Sequence, residues 1–277
     1  MSQYAAGSGV LFVVATPIGH LGDLSPRAVD TLRGVAAICA EDTRHSRPLL
    51  LHFGIERPLL ALHEHNEAAQ AAGLVTRLAG GESLALISDA GTPLVSDPGF
   101  RLVAAARAAG IRVSPIPGPC AAIAALSAAG LPSDRFCFEG FLPAKPAARR
   151  ARIAELAAEP RTLVFYESAH RIEESLDDLS TGFGPTRRAV LARELTKRFE
   201  TLLDGDLDAL RRRLAEDADQ RRGEFVLIVT GASDDAEAKL AAGRRLYARL
   251  VQELPPSRAA KLAAELSGAP RQALYSA

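Results

Sequence analysis

The feature that most constrains this chain is a series of short apolar runs, each stopping abruptly in a loop dense with Gly, Pro, Asp or His. Val10–Ala15 (VLFVVA) runs into Thr16–Ser25 (TPIGHLGDLS), and Val35–Cys39 into the block Ala40–His45 (AEDTRH). Leu59–Leu62 ends at His63-Glu64-His65-Asn66, Leu84–Ile87 at Ser88–Gly99 (SDAGTPLVSDPG), and Ile111–Ile116 at Pro117-Gly118-Pro119. Between them lie helical stretches. Ser25-Pro26 is a good N-cap followed by a first-turn proline, and Asn66–Leu78 reads as a helix. Strand–helix alternation of this kind implies a largely parallel sheet. Ligands of such sheets sit beyond the carboxyl ends of the strands, where the polar loops fall here.

A second set of the same kind follows. An Ala-rich helix, Cys120–Ala129, ends at Gly130-Leu131-Pro132. Strand-like runs are Phe136–Glu139, Thr162–Phe165, Ala189–Ala192, Phe199–Leu203 and Glu224–Val229. Helical segments lie at Ala147–Ala158, Ile172–Leu179 and Asp206–Glu216. The two halves read as similar in plan. With 277 residues there is room for two such domains. The expected division is 10–118 and 119–231, both α/β, with a linker at Ala232–Glu237 and a small helical tail at 238–277 broken at Pro255-Pro256 and near Gly268.

The tail from Lys239 carries seven Lys/Arg against two acids, a net +5 within a chain whose 33 basic and 33 acidic residues cancel overall. A zero total does not exclude nucleic acid, because local patches create the field. Cys39, Cys120 and Cys137 are far apart, which speaks against a zinc site or a disulfide framework and fits a reducing cytoplasm. Met1–Gly9 is polar, so no secretory signal is expected, and no apolar run is long enough to span a bilayer.

The loops carry the candidate chemistry. One Asp in a Gly/Pro loop commonly makes an Asx turn, whereas Asp89 and Asp97 in the same strand-end loop point toward a site. Asp42, Arg44, His45, His63 and His65 follow neighbouring runs and are positioned to converge. His63-x-His65 has no further ligand set at metal spacing, so no metal is expected. Ser168 in Glu167–Arg171 fits a helix N-cap as well as a catalytic group. Lys145, Arg149, Arg150 and Arg152 form a basic cluster without acids, which favours a polyanionic substrate. The first loop is neither GxGxxG nor a Walker motif, so a dinucleotide site is not supported.

Several stretches, in order, resemble one family: ATPIGHLGDLSPRA, AAICAEDTRHSRPLL, ALHEHNE, LISDAGTPLVSDPG, PIPGPCAAIAALSAAGLPSDRFCFEGFLPAK, RTLVFYESAHRI, LARELTKRFET and RRGEFVLIV. The chain is similar to the ribosomal small-subunit RNA 2′-O-methyltransferase I family, a branch of the tetrapyrrole (class III) methyltransferases. The tail, LPPSRAAKLAAELSGAPRQALY, resembles that family's helix-turn-helix appendix. Tetrapyrrole-modifying relatives have a GxGxGD-type first loop, and TPIGHLGDL departs from it, which argues against a porphyrin-type substrate.

The resemblance implies two α/β domains of tetrapyrrole methylase type with S-adenosylmethionine in the cleft between them. It implies a cytoplasmic homodimer acting on 16S rRNA in the assembled small subunit, at the ribose of a decoding-region cytidine (cytidine 1402 in the family), with no membrane involved. Cofactor contacts are expected from Pro17, Asp89, Gly91, Thr92, Ala121 and Ala122, and from Tyr166, Ala192 and Thr230. Strand-end positions point to the Asp42/His45 pair as the base, with Glu167 in reserve. RNA contacts are expected from Arg44, His63, His65, Lys145, Arg149 and Arg150.

Overall fold

The apolar runs of the first half become β1 (Val10–Val14), β2 (Ala37–Ala40), β3 (Leu59–Ala61), β4 (Leu84–Ile87) and β5 (Arg112–Ile116). A computed structural model describes residues 7–232 and 236–274 of the chain. The five strands form one parallel sheet in the order β3-β2-β4-β1-β5. The connecting helices are α1 (Pro26–Gly34), α2 (Thr43–His52), α3 (Glu67–Ala79) and α4 (Phe100–Ala108). Ser25 caps α1 by accepting the Ala28 N–H at 3.1 Å, as Ser-Pro predicts. Alternate residues of the strands feed two cores. Val14, Ile38 and Ile87 pack with Leu32 and Leu50 on one face, and Leu11, Leu84 and Leu86 pack with Leu74, Leu78 and Leu102 on the other. Each such fully buried side chain contributes roughly 1.5–3 kcal/mol.

Helices α2 and α4 were not foreseen. Pro48 inside α2 and the charges of its first turn mask the apolar period, although Ser46 and Leu50 do face inward.

The second half begins with α5 (Ala121–Ala128), whose Ala122, Ala125 and Leu126 pack on the second sheet. That sheet holds β6 (Phe136–Phe141), β7 (Thr162–Ser168), β8 (Arg188–Arg193), β9 (Thr201–Asp206) and β10 (Glu224–Val229), with α6 (Pro146–Leu156), α7 (Ile172–Phe183) and α8 (Leu207–Glu216). Its order is β6-β7-β10-β8-β9. Only β6 and β7 run parallel, and the remaining pairs are antiparallel. The halves therefore differ in plan, correcting the expected likeness. The short β8–β9 connection makes an antiparallel pair, and β10 inserts between β7 and β8. Strand β9 also starts at Thr201 rather than Phe199.

Both sheets belong to one compact unit, and the tail from Gly231, with Ala158–Pro160, makes a second. In the tail, α9 (Ala236–Leu250) and α10 (Pro256–Ser267) enclose a small core of Ala263, Ala269 and Leu274 with Leu246, Tyr247 and Leu250. Gly268 ends α10 in the left-handed region, at φ 70°. Parts of the polar start, the linker and the end of the tail lie outside the described residues. Among the described residues no helix is long and apolar enough to cross a membrane.

Candidate active site

The loops after β1 and β4, neighbours in the parallel sheet, are tied to each other. Thr16 and Gly91 exchange backbone hydrogen bonds of 2.8 and 3.1 Å. Gly91 holds φ 85°, and a Cβ there would meet Ile18 Cγ2 at 3.3 Å. The Thr92 hydroxyl donates to the Pro119 carbonyl at 2.8 Å, anchoring the turn that leads into α5. From the second sheet, the Tyr166 hydroxyl oxygen accepts the Ala122 N–H at 3.1 Å and so caps α5, where Cys120 provides no side-chain cap. Tyr166 packs edge-on against Phe138 and Phe141.

A cavity of about 410 Å³ opens between these parts. The first sheet lines it with Ile18, Glu41, Asp89–Thr92 and Val95–Asp97. The second half supplies Ala121, Phe141, Tyr166–Ser168, Leu195, Lys197 and Gly223–Val226. The volume is within the usual range for small-molecule sites, roughly 300–1,000 Å³. The loop after β8 comes close to the loop after β1. The Thr196 hydroxyl accepts the His20 N–H at 3.1 Å, and a Cβ on Gly19 would lie 2.5 Å from Lys197 Cγ. Among the described residues, the non-glycine positions in the left-handed region are Leu94 and Ser96, on the loop after β4, and Glu194 and Thr196, on the loop after β8. Such conformations cost of order 1–3 kcal/mol each and cluster where geometry serves function.

The lining is strongly acidic. Burial pushes the Asp97 carboxyl up to about 7, the Glu41 charge adds to the rise, the Ser88 hydroxyl opposes it, and Asp89 adds a little more. Glu41 is raised by burial, then by Asp89 and Asp42, with His63 acting the other way. Lys197 bonds Glu224 at 2.6 Å and Glu194 at 2.9 Å. Burial disfavours its charge, but those two carboxylates hold its affinity for the proton above that of an ordinary lysine.

Of the expected cofactor contacts, Asp89, Gly91, Thr92, Ala121 and Tyr166 line the cavity. Pro17 is buried one residue before the lining Ile18. Ala122 and Ala192 are buried in the core beneath the wall. Thr230 is bonded to the Arg188 carbonyl and does not reach the lining.

The expected bases are placed less favourably. Asp42 is the N-cap of α2, accepting the Arg44 N–H at 2.8 Å, and its carboxylate also pairs with the Arg44 guanidinium. Hydrogen bonds from Arg44 hold its carboxyl far below the usual range, which makes it a feeble proton acceptor. His45 is exposed on α2 and is not in the lining. The Glu167 carboxylate accepts from the Ser168 N–H (2.8 Å) and the Ser175 hydroxyl (2.6 Å) and faces Arg171 at 3.5 Å, so it anchors the start of α7.

The basic cluster also needs correcting. Arg149 is 3% exposed and pairs with Asp178 at 2.7 Å and Glu174 at 3.0 Å, so it does not face an RNA phosphate. Arg150 reaches Asp178 at 3.7 Å, and Arg152 is paired with Glu139 and Glu155. Lys145 is exposed at the N-cap of α6, and Arg44 is 90% exposed. His63 is half-buried with its ring against the exposed His65, and its Nδ1 has no hydrogen-bond partner among the described residues. Glu41, Asp97 and Lys197 also line the cavity, and the sequence assigned none of them a role, although it singled out Asp97 with Asp89. The signal for the first two was their place in strand-end loops already dense with polar groups. Among the described residues, no group of three or more His, Cys, Asp and Glu side chains is arranged to hold a metal ion.

A cavity at the carboxyl ends of a parallel sheet, closed by a mixed sheet, defines an α/β enzyme of the tetrapyrrole methylase type. The family described as Tetrapyrrole (Corrin/Porphyrin) Methylases matches residues 10–211, and the RsmI C-terminal HTH domain matches 237–277. The methyltransferase CobJ shares this fold, with TM-score 0.60 at 21% identity over 81% of this chain and 95% of that one. Diphthine synthase shares it at TM-score 0.58 and 16% identity, over 80% and 90%. The chain belongs to the ribosomal RNA small subunit methyltransferase I family. It is 68% identical to the member from Xylella fastidiosa (strain Temecula1), covering 96% of this chain and 98% of that protein. Identity to the Pseudomonas aeruginosa member is 58%, over 97% and 96%, and to the Escherichia coli O157:H7 member 54%, over 96% and 93%.

Proposed function

We propose that this protein transfers a methyl group from S-adenosylmethionine to the ribose 2′-oxygen of a decoding-region cytidine, cytidine 1402, in 16S rRNA. It works as a cytoplasmic homodimer on the assembled small ribosomal subunit. The observation that carries the reading is similarity along nearly the whole chain to proteins named ribosomal RNA small subunit methyltransferase I, tail included.

The cavity suits the donor on chemical grounds. The donor supplies a methyl group already activated by a positively charged sulfur. A lining that holds Glu41, Asp89 and Asp97, with no ion pair to any of them among the described residues, favours a cation. The Gly91–Thr92 backbone, Ala121 and the Tyr166–Phe141 wall provide hydrogen bonds and an apolar surface for a nucleoside. These residues hold the two reactants in line, which is an orientational gain. Arg44 and Lys145 remain the exposed cations best able to meet RNA phosphate, and the basic tail adds a salt-dependent term.

The deciding experiment is transfer of labelled methyl to small subunits that lack the modification, with mapping of the labelled nucleotide. Label on the 2′-oxygen of that one cytidine is the expected result. Label on a base, or on a tetrapyrrole offered in place of RNA, would refute it.

A further inference from the structure

Five carboxylates line the cavity: Glu41, Asp89, Asp97, Glu167 and Glu224. Three are already committed. Glu167 holds the start of α7, Glu224 is bonded to Lys197, and Asp89 Oδ1 accepts the Asp42 N–H at 3.1 Å. Asp42 itself is outside the lining and tied to Arg44. Two remain, Asp97 and its charged neighbour Glu41, and neither forms an ion pair among the described residues, although Asp97 interacts with the Ser88 hydroxyl. The loop that presents Asp97 is held in place by strained backbone. Leu94 and Ser96 sit at φ 74° and 72°, and the Ser96 hydroxyl lies 3.2 Å from where a Cβ on Gly140 would be.

We propose that Asp97 is the catalytic base, taking the proton of the attacking ribose hydroxyl, with Glu41 setting its basicity. This rests on the donor-in-cavity, ribose-directed reading above. The balance is simple. The hydroxyl proton moves to an Asp97 oxygen, the ribose oxygen bonds to the methyl carbon, and the carbon–sulfur pair stays on sulfur, leaving a neutral thioether. The proton then passes to solvent.

Asp97 faces Glu41 from the end of β2, Asp89 and Ser88 from its own loop, and Tyr166 from β7, with Lys197 also in the lining. Its carboxyl titrates at about 7, so the active, ionised form grows as pH rises through neutrality. A base tuned near the working pH is the efficient case.

The test joins kinetics with a readout independent of turnover. Single-turnover methyl transfer to unmodified subunits is followed from about pH 5.5 to about pH 9. With the donor kept well below its Kd the wild-type rate rises with an inflection near 7, that of the free enzyme, and with saturating donor the inflection lies lower. Asp97→Asn lowers the rate by roughly 100-fold or more and removes the inflection. Glu41→Gln moves the inflection to lower pH, because a like charge is gone. Separately, S-adenosylmethionine binding is measured by calorimetry near neutral pH in two buffers of different ionisation enthalpy. The wild type releases protons as the cation enters, and Asp97→Asn binds the donor without that release. An Asp97→Asn protein that binds donor and still turns over within about threefold of wild type, or keeps the inflection, would overturn the assignment of the base alone. Label found on a base while proton release persists would overturn the ribose reading and this step with it.

Discussion

The two sheets bury similar apolar cores but treat their charges in opposite ways. In the parallel sheet, strand ends release Glu41, Asp89 and Asp97 into the cavity, with no ion pair to any of them among the described residues. In the mixed sheet, charges arrive already paired: Lys197 with Glu194 and Glu224, Arg149 with Glu174 and Asp178, and Glu167 with Arg171. The lesson is that pairing separates scaffold from site. A charge with a partner holds two elements together, whereas a charge kept half-buried without one is destabilising and is the kind that clusters at ligand sites.

Four changes probe this contrast, from the largest expected effect to the smallest. Arg149→Ala strands Asp178 beside a partly dehydrated wall and should lower unfolding free energy by about 3 kcal/mol, at the low end for a buried pair because Glu174 faces solvent. Denaturant unfolding measures it. An Arg149→Ala protein of normal stability but weakened RNA binding would reverse the scaffold assignment. Gly19→Ala forces the β1 and β8 loops apart and should cost about 1–3 kcal/mol with weakened donor binding. Calorimetric Kd alongside Tm separates the two effects. Tyr166→Phe leaves the Ala122 N–H uncapped and should cost about 1 kcal/mol, read as a Tm change.

The fourth change is in the site sheet and has the opposite sign. The Asp97 carboxyl is raised in the folded state, so the fold is favoured while that group is protonated. That advantage is lost as pH climbs from the ordinary aspartate range through about 7. Asp97→Asn should therefore raise Tm relative to wild type above neutrality, by about 2–4 °C per kcal/mol recovered, with the gap closing in acid. A gap independent of pH would deny the site sheet its strained charge.

Much of the parallel half was legible in the sequence. Its strands are continuous apolar runs, and Gly, Pro and Asp punctuate their ends, so the Thr16 and Ser88 loops announced themselves as a ligand face. Helix α2 hid behind Pro48 and its polar first turn. The mixed sheet was less legible because its pairings are non-local: nothing in Glu224–Val229 states that it enters between β7 and β8. Arg149 misled for the same reason. Its partners lie 25 and 29 residues further on, so a charge that stood in a basic cluster in sequence is neutralised in space. Glu41 and Asp97 were visible as residues of polar loops, but that neither forms an ion pair among the described residues is a property of the folded chain.

The acid-rich lining also acts as a gatekeeper by sign. A phosphodiester pushed into a chamber that holds Glu41, Asp89 and Asp97 meets repulsion strengthened by poor screening. On the proposed reading, an RNA strand meeting this lining would keep its linkages outside and turn an uncharged face inward, a condition that a nucleotide swung out of its stack would meet and a regular duplex would not.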